Sequence, residues 1–120
     1  MTIESISAQM VQLLRNQDFL KAQRTFFDEQ VISQEPSFHP HPRTAGLSAL
    51  MEKERQFLTA IQTWHEFEIS EPLVSCDHFS IRMYSKVTLQ TGRLLEIDEV
   101  IVYQVANGKI VRETYFYQQP

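Results

Sequence analysis

The chain has 120 residues, of which 42% are hydrophobic and 22% charged, and a formal net charge of −4. This length and balance are typical of one globular domain, so we expect residues 1–120 to form a single unit. The acidic balance, without a lysine and arginine cluster, argues against a nucleic-acid partner. The lack of an 18-residue apolar run argues against a membrane span. The amino terminus has no secretion signal and Cys76 is the only cysteine, which together favour a cytoplasmic location.

The first half of the chain has the three-to-four residue spacing of amphipathic helices. Thr2 is a candidate cap for the first helix and Asp18 for the second. A short strand-like run over residues 31–35 ends at Pro36, and Thr44 begins the longest predicted helix. The apolar positions of the three helices are Ile3, Ile6, Met10, Leu13 and Leu14, then Phe19, Ala22, Phe26 and Phe27, then Leu47, Leu50, Met51, Leu58 and Ile61.

The segment 37–43 contains His39, Pro40, His41 and Pro42 in succession. Proline removes a backbone donor and restricts the residue before it, so this segment is predicted to be an irregular loop. The two histidines have a spacing that some metal sites use, but no third or fourth ligand is spaced to join them, and we expect no metal. The segment is interpreted as a solvated loop or as a lid over a pocket.

The second half of the chain changes to the period of two that indicates β-strands. Strands are predicted over residues 64–74, 79–89, 94–105 and 110–118, with a turn at Thr91-Gly92 and a two-residue hairpin at Asn107-Gly108. Helices followed by a run of antiparallel strands predict an α+β fold.

The Asn107-Gly108 turn pairs Ala106 with Lys109, and a regular ladder from that pair places Val102 opposite Glu113. One face of the hairpin then carries Glu96, Asp98, Val100, Val102, Glu113, Tyr115 and Tyr117. Carboxylates and phenols among valines are typical of a ligand pocket, although a partly exposed sheet end is the alternative.

The opposite face of the hairpin is predicted to be rich in apolar residues, led by Ile97, Ile101, Tyr103 and Phe116, and also carries Glu99, Arg112 and Thr114. The helices can cover only one face of the sheet. We therefore expect this second face to be the outer one and to form a homodimer interface.

The order of these elements resembles that of the SnoaL-like and nuclear transport factor 2-like superfamily. The best markers are Thr44-Ala45-Gly46-Leu47, which opens the long helix, and Asn107-Gly108-Lys109-Ile110-Val111 in the last hairpin, and the resemblance spans nearly the whole chain. It implies a cone-shaped, curved antiparallel sheet packed against three N-terminal helices in a cystatin-like topology. It also implies a mouth that admits a small hydrophobic molecule, with homodimers common through the outer sheet.

Within that superfamily, Glu35-Pro36 resembles the segment that ends in the catalytic base of ketosteroid isomerase. The tyrosine of that enzyme's oxyanion hole would fall near Met10 or Val11, and its buried acid near Val100 or Ile101, none of which can donate a proton. Because an oxyanion hole supplies the larger electrostatic stabilisation, the isomerase activity is not carried over to this chain.

Two functions remain open from the sequence. The first is cofactor-independent proton transfer, of the isomerase, cyclase or dehydratase type, on a small hydrophobic carbonyl compound. The second is a non-enzymatic module for ligand binding or dimerisation. Under the first, the catalytic candidates are Glu35, His65 and Asp98; the ligand-binding candidates are Glu113, Tyr115, Tyr117, Val100 and Val102.

Overall fold

The computed structural model describes residues 1–120 and contains three helices and one seven-stranded sheet. The helices lie mainly before the long strands, as the change of period predicts. In chain order the elements are α1 (Ile3–Arg15), α2 (Phe19–Phe26), β1 (Phe27–Gln34), β2 (Arg43–Ala45), α3 (Leu47–Ala60), β3 (Ile61–Ile69), β4 (Leu73–Ser75), β5 (His78–Leu89), β6 (Leu94–Ala106) and β7 (Lys109–Phe116).

The strands form a curved, open sheet in the order β2-β1-β7-β6-β5-β3, with β4 paired to β5. The α+β cone is therefore confirmed. The sheet is mixed, because β1 and β7 run parallel while the other pairs are antiparallel. β1 and β7 come from opposite ends of the chain, and no tight turn joins them. No hairpin therefore forces them to run antiparallel.

The helix starts follow local chemistry with two corrections, the first of which is that Asp18 occupies the N-cap position of α2 without a capping hydrogen bond from its side chain. The Thr2 hydroxyl accepts a hydrogen bond from the Ser5 amide at 3.1 Å, which confirms the predicted cap of α1. The third helix begins at Leu47 rather than Thr44, because Thr44 pairs with Ser33 in β2. Gly46 precedes the helix with a φ of +96°, a conformation that glycine adopts without steric cost.

The predicted strand over residues 64–74 is divided in two. Strand β3 begins earlier, at Ile61, directly after α3, and ends at Ile69; β4 resumes at Leu73. Pro72 lies between them, and proline cannot donate to a ladder.

The last hairpin has the predicted turn but not the predicted register. Ala106 pairs with Lys109, and Asn107 and Gly108 have φ values of +52° and +75°. The ladder then shifts by one residue, since Gln104 pairs with Arg112 while Val105 pairs with Ile110. Val111 is the extra residue of this β-bulge.

The bulge changes which β6 residues share a face with the end of β7. Tyr103 pairs with Glu113, and Ile101 with Tyr115, so the predicted pairing of Val102 with Glu113 is wrong. The expectation that Ile97, Ile101 and Tyr103 lead an outer dimer face is wrong for the same reason, because they line the interior instead. Of that set, Phe116 alone is on the outer face, at 56% exposure.

The core lies between the helices and the inner face of the sheet. Four buried residues of α1 pack with the sheet residues Phe79, Ile81, Ile101 and Tyr103. The rings of Phe79 and Tyr103 stack at a centroid distance of 4.8 Å. None of the three helices has the length and apolar character needed to traverse a bilayer.

Candidate functional site

A cavity of about 750 Å³ opens between the three helices and the inner face of the sheet. Aromatic side chains form part of its wall, with Trp64 packed against Phe19 and Phe67 at ring-centroid distances of 6.0 and 5.2 Å. Aliphatic groups from α1 and β6 continue the wall, among them Met10, Leu14, Ile97 and Ile101. This size and apolar lining are usual for a small-molecule site.

Four glutamates from separate parts of the chain line this cavity: Glu35 after β1, Glu54 on α3, Glu99 on β6 and Glu113 on β7. The only ion pair that any of them makes is between Glu35 and Lys53. Carboxylates in a largely apolar cavity are costly unless they are paired or take up a proton. The protonation of these four groups therefore decides the chemistry of the site.

Glu113 is fully buried, at 1% exposure, and its Oε1 accepts two hydrogen bonds. The Ser33 hydroxyl donates at 2.8 Å and the Tyr115 hydroxyl at 3.2 Å. Burial raises the pKa of Glu113 to about 7, although both hydrogen bonds favour the charged form and oppose the rise. Both bonds go to Oε1, so in the neutral acid the proton can sit on Oε2 and be donated elsewhere.

Glu35 has a different environment, although it lines the same cavity. Its Oε1 lies 3.3 Å from Lys53 Nζ, and its Oε2 accepts a hydrogen bond of 2.7 Å from the Tyr117 hydroxyl. Its side chain is 11% exposed. A cation and a phenol that both contact one carboxylate hold it in a defined orientation.

Glu54 and Glu99 line the cavity in partly buried positions, and neither has an ion-pair or hydrogen-bond partner. Burial raises the pKa of Glu54 to about 7, against the opposing effect of Lys53. Burial, followed by the charges of Glu35 and Glu113, raises the pKa of Glu99 to about 8. Both groups therefore exchange between acid and carboxylate close to neutral pH.

Three tyrosines complete the polar part of the lining. Burial raises the pKa of Tyr103 and of Tyr115 well above the usual value, and burial together with the hydrogen bond to Glu35 raises that of Tyr117. All three phenols therefore keep their protons and can donate hydrogen bonds inside the cavity.

The structure brings together four of the residues that the sequence singled out, namely Glu35, Glu113, Tyr115 and Tyr117. Phe38, from the loop, contacts the ring of Tyr117 edge-on at 5.5 Å. His39, Pro40 and His41 also line the cavity, and His39 Nδ1 accepts a hydrogen bond from the His41 amide at 3.0 Å. No group of three or more histidine, cysteine, aspartate or glutamate side chains is arranged to hold a metal.

The other candidates lie outside the cavity, which corrects the sequence-based assignment. His65 is exposed and its Nε2 lies 2.7 Å from the Thr88 hydroxyl. Asp98 forms a two-pronged ion pair with Arg82, at 2.8 and 2.9 Å, on the outer face. Val100 and Val102 share that outer face, because the bulge at Val111 moves their strand out of the predicted register with β7.

Sequence reasoning missed Glu54 and Lys53 as cavity residues and placed Glu99 on the opposite face. Glu54 is four residues from both Leu50 and Leu58, so helical spacing puts it on the apolar stripe of α3. That spacing was the signal that could have identified it. No comparable signal exists for Lys53.

The comparisons with known proteins agree with this architecture. The family model of the SnoaL-like domain matches residues 1–117. None of the curated proteins matches the chain. A structure of a candidate SnoaL-like polyketide cyclase from Mesorhizobium loti has 30% identity and a TM-score of 0.88, and the match covers 98% of this chain and 100% of that one.

Two more distant structures show the same fold. A protein of unknown function with a cystatin-like fold from Xanthomonas campestris has 16% identity and a TM-score of 0.82, over 99% of this chain and 92% of that one. TerC, co-crystallised with polyporic acid, has 14% identity and a TM-score of 0.73, and the match covers 95% of this chain and 89% of that one. The family match over nearly the whole chain and the shared cone establish that this protein belongs to the SnoaL-like domain family.

Proposed function

We propose that this protein catalyses cofactor-independent proton transfer on a small apolar molecule that carries a carbonyl group. The observation that carries the proposal is an oriented carboxylate, Glu35, in the same apolar cavity as a buried carboxylic acid, Glu113. Two carboxyl groups whose environments differ can take the roles of base and acid.

In this proposal Glu35 is the general base. It would remove a proton from the carbon next to the carbonyl, and the electron pair would move to the carbonyl oxygen. Lys53 and Tyr117 hold the Glu35 carboxylate from two sides, which positions it for the transfer. The proton on Glu35 would then return to another atom of the same molecule, so that no redox partner is needed.

The developing oxyanion needs donors, and the ketosteroid isomerase positions cannot supply them in this chain. Glu113 offers a substitute, because its neutral form carries a proton that its two hydrogen bonds at Oε1 leave free. The cavity-lining phenol of Tyr103 is a second donor. Donors fixed in an apolar cavity stabilise charge far more than the same groups in water.

Two comparisons support a small organic ligand. The Mesorhizobium loti protein, 30% identical, is a candidate polyketide cyclase, and TerC was co-crystallised with polyporic acid. Both are described by their action on or contact with a small organic molecule, which is consistent with a ligand in the corresponding cavity here.

The test is hydrogen–deuterium exchange of the carbons next to the carbonyl of 2-tetralone in D2O, followed by NMR. We expect the protein to accelerate exchange, and Glu35→Gln to reduce that acceleration by about 10² to 10⁴, the usual effect of losing a general base. Glu29→Gln is the matched control, since Glu29 is an exposed carboxylate of β1. A ketone that binds without any catalysed exchange would contradict the proposal and favour a binding module.

A further inference from the structure

Glu54 and Glu99 are the two cavity carboxyls that no protein group satisfies. Glu35 has Lys53 and Tyr117, and Glu113 has Ser33 and Tyr115. Both residues line the cavity in partly exposed positions, so their carboxyl groups are open to a bound molecule. A ligand that offers a charged donor could therefore pair with them.

Gln23 supplies a second and independent observation. It lies on α2, lines the same cavity and is 7% exposed. Its side-chain Oε1 is the buried side-chain polar atom that has no hydrogen-bond partner. A buried acceptor without a donor costs free energy, and a ligand with N–H groups would remove that cost.

Four carboxyl groups and two cations line this cavity. Lys53, on the same helix as Glu54, is already paired with Glu35, and Arg93 is at the turn between β5 and β6. The titratable groups that line the cavity are Glu35, His39, His41, Lys53, Glu54, Arg93, Glu99, Tyr103, Glu113, Tyr115 and Tyr117. Once they are ionised, Glu54 and Glu99 would repel a carboxylate ligand, whereas they would be unpaired counter-charges for an ammonium ligand.

We propose that the cavity binds a small apolar molecule that bears a positively charged amine, with Glu54 and Glu99 as its counter-charges and Gln23 as an additional acceptor. The inference rests on the proposed function only in placing the ligand in this cavity. It narrows the substrate to an apolar carbonyl compound that also carries a basic nitrogen.

Proton linkage gives the proposal a distinctive signature. Glu54 and Glu99 have raised pKa values of about 7 and about 8, so near pH 7 both are largely or partly neutral. A cation stabilises their ionised forms. Binding of an amine should therefore release a proton from a carboxyl group to the buffer, and its affinity should increase as pH rises from 6 to 8. A neutral ligand should do neither.

The experiment compares three probes on one bicyclic skeleton: 2-aminotetralin as the cation, 2-tetralone as the neutral form and tetralin-2-carboxylate as the anion. Titration calorimetry at pH 8 should show the amine bound at least about thirtyfold more tightly than the carboxylate. At pH 7, buffers with different ionisation enthalpies should report proton release for the amine alone.

Substitutions then test which residues produce the preference for the amine. The double variant Glu54→Gln/Glu99→Gln should reduce the preference for the amine about tenfold, while Glu29→Gln should leave it unchanged. Gln23→Met keeps the length of the side chain and removes the acceptor, so it should weaken the amine severalfold. Removing carboxyl groups that have no partner in the protein should not impair folding, which circular dichroism can verify for each variant.

Several results would overturn the inference. They are equal affinity for the three probes, tighter binding of the carboxylate, no binding of the amine up to millimolar concentration, or an unchanged preference in the double variant. The measurement does not depend on turnover. If the protein prefers the amine but catalyses no exchange, only the proposed function is contradicted. If it catalyses exchange but does not prefer the amine, only this inference is contradicted.

Discussion

Ser33 and Glu113 are partners in the parallel pairing of β1 and β7, and the Ser33 hydroxyl donates a 2.8 Å hydrogen bond to the Glu113 carboxyl. Both residues are buried, at 0% and 1% exposure, although 80 positions separate them in the chain. The one parallel pairing of the sheet therefore fixes the environment of Glu113, which is an acid of the cavity. Four predictions concern Glu113, its neighbours and the opposite face of the sheet.

Replacing Ser33 with alanine should raise the pKa of Glu113 further above about 7. The serine hydrogen bond favours the charged carboxylate, so its removal leaves the neutral acid relatively more stable. Carbon-detected NMR titration of the Glu113 carboxyl would measure the change. Ser48→Ala, at an exposed position of α3, is the control and should leave the titration unchanged. An unchanged or lowered Glu113 pKa in Ser33→Ala would show that the bond does not stabilise the carboxylate.

The folded protein should lose stability as pH rises from about 4.5 to about 8. Glu54, Glu99 and Glu113 have pKa values of about 7, 8 and 7 when folded, against an ordinary value of 4.5. Across this window the folded state binds more protons than the unfolded state, so the free energy of unfolding decreases with pH. Urea unfolding at pH 5 and pH 8 would measure it.

The variant Glu113→Gln isolates one part of this pH dependence. It removes one titrating group and should reduce the loss by roughly 1–3 kcal/mol. Glu29→Gln, which removes an exposed carboxylate, should leave the slope unchanged. A wild-type protein that is more stable at pH 8 than at pH 5 would contradict the prediction.

The variant Tyr117→Phe removes the phenol that donates to Glu35 at 2.7 Å. If Glu35 is the base, catalysed exchange should decrease about tenfold because the carboxylate is less well positioned. Tyr84→Phe is a close control, since the Tyr84 hydroxyl donates to Glu96 on the outer face. Equal effects of the two substitutions would indicate a general loss of stability rather than a role at Glu35.

We expect a homodimer through the outer face of the sheet, although the residues of its interface differ from those that the sequence predicted. Val100 and Phe116 pair across β6 and β7 on that face and are 43% and 56% exposed. Exposed apolar neighbours on a sheet favour association. Light scattering should give twice the 14.1 kDa of the chain, and Phe116→Glu should give a monomer. Leu73→Glu, at an exposed position of β4, should leave the dimer intact, and a monomeric wild type would contradict the prediction.

The sequence by itself determined the fold class and four of the polar residues that line the cavity. The helical stripes, the change to a period of two and the Asn107-Gly108 turn are local signals, and each depends on residues close together in the chain. Glu113, Tyr115 and Tyr117 were identified because the alternation along the last predicted strand is equally local. Glu35 was identified through the resemblance of Glu35-Pro36 to the segment that ends in the base of ketosteroid isomerase.

Tertiary structure alone decided the other half of the site. The bulge at Val111 reversed the faces of β6 relative to the end of β7, so Glu99 faces the cavity and Asp98 does not. A strand has a side-chain period of two, and one extra residue therefore exchanges its two faces without any change in composition. The contacts of Glu35 with Lys53 and of Glu113 with Ser33 join residues 18 and 80 positions apart. No local pattern encodes such contacts, because they arise only when separate elements pack around one cavity.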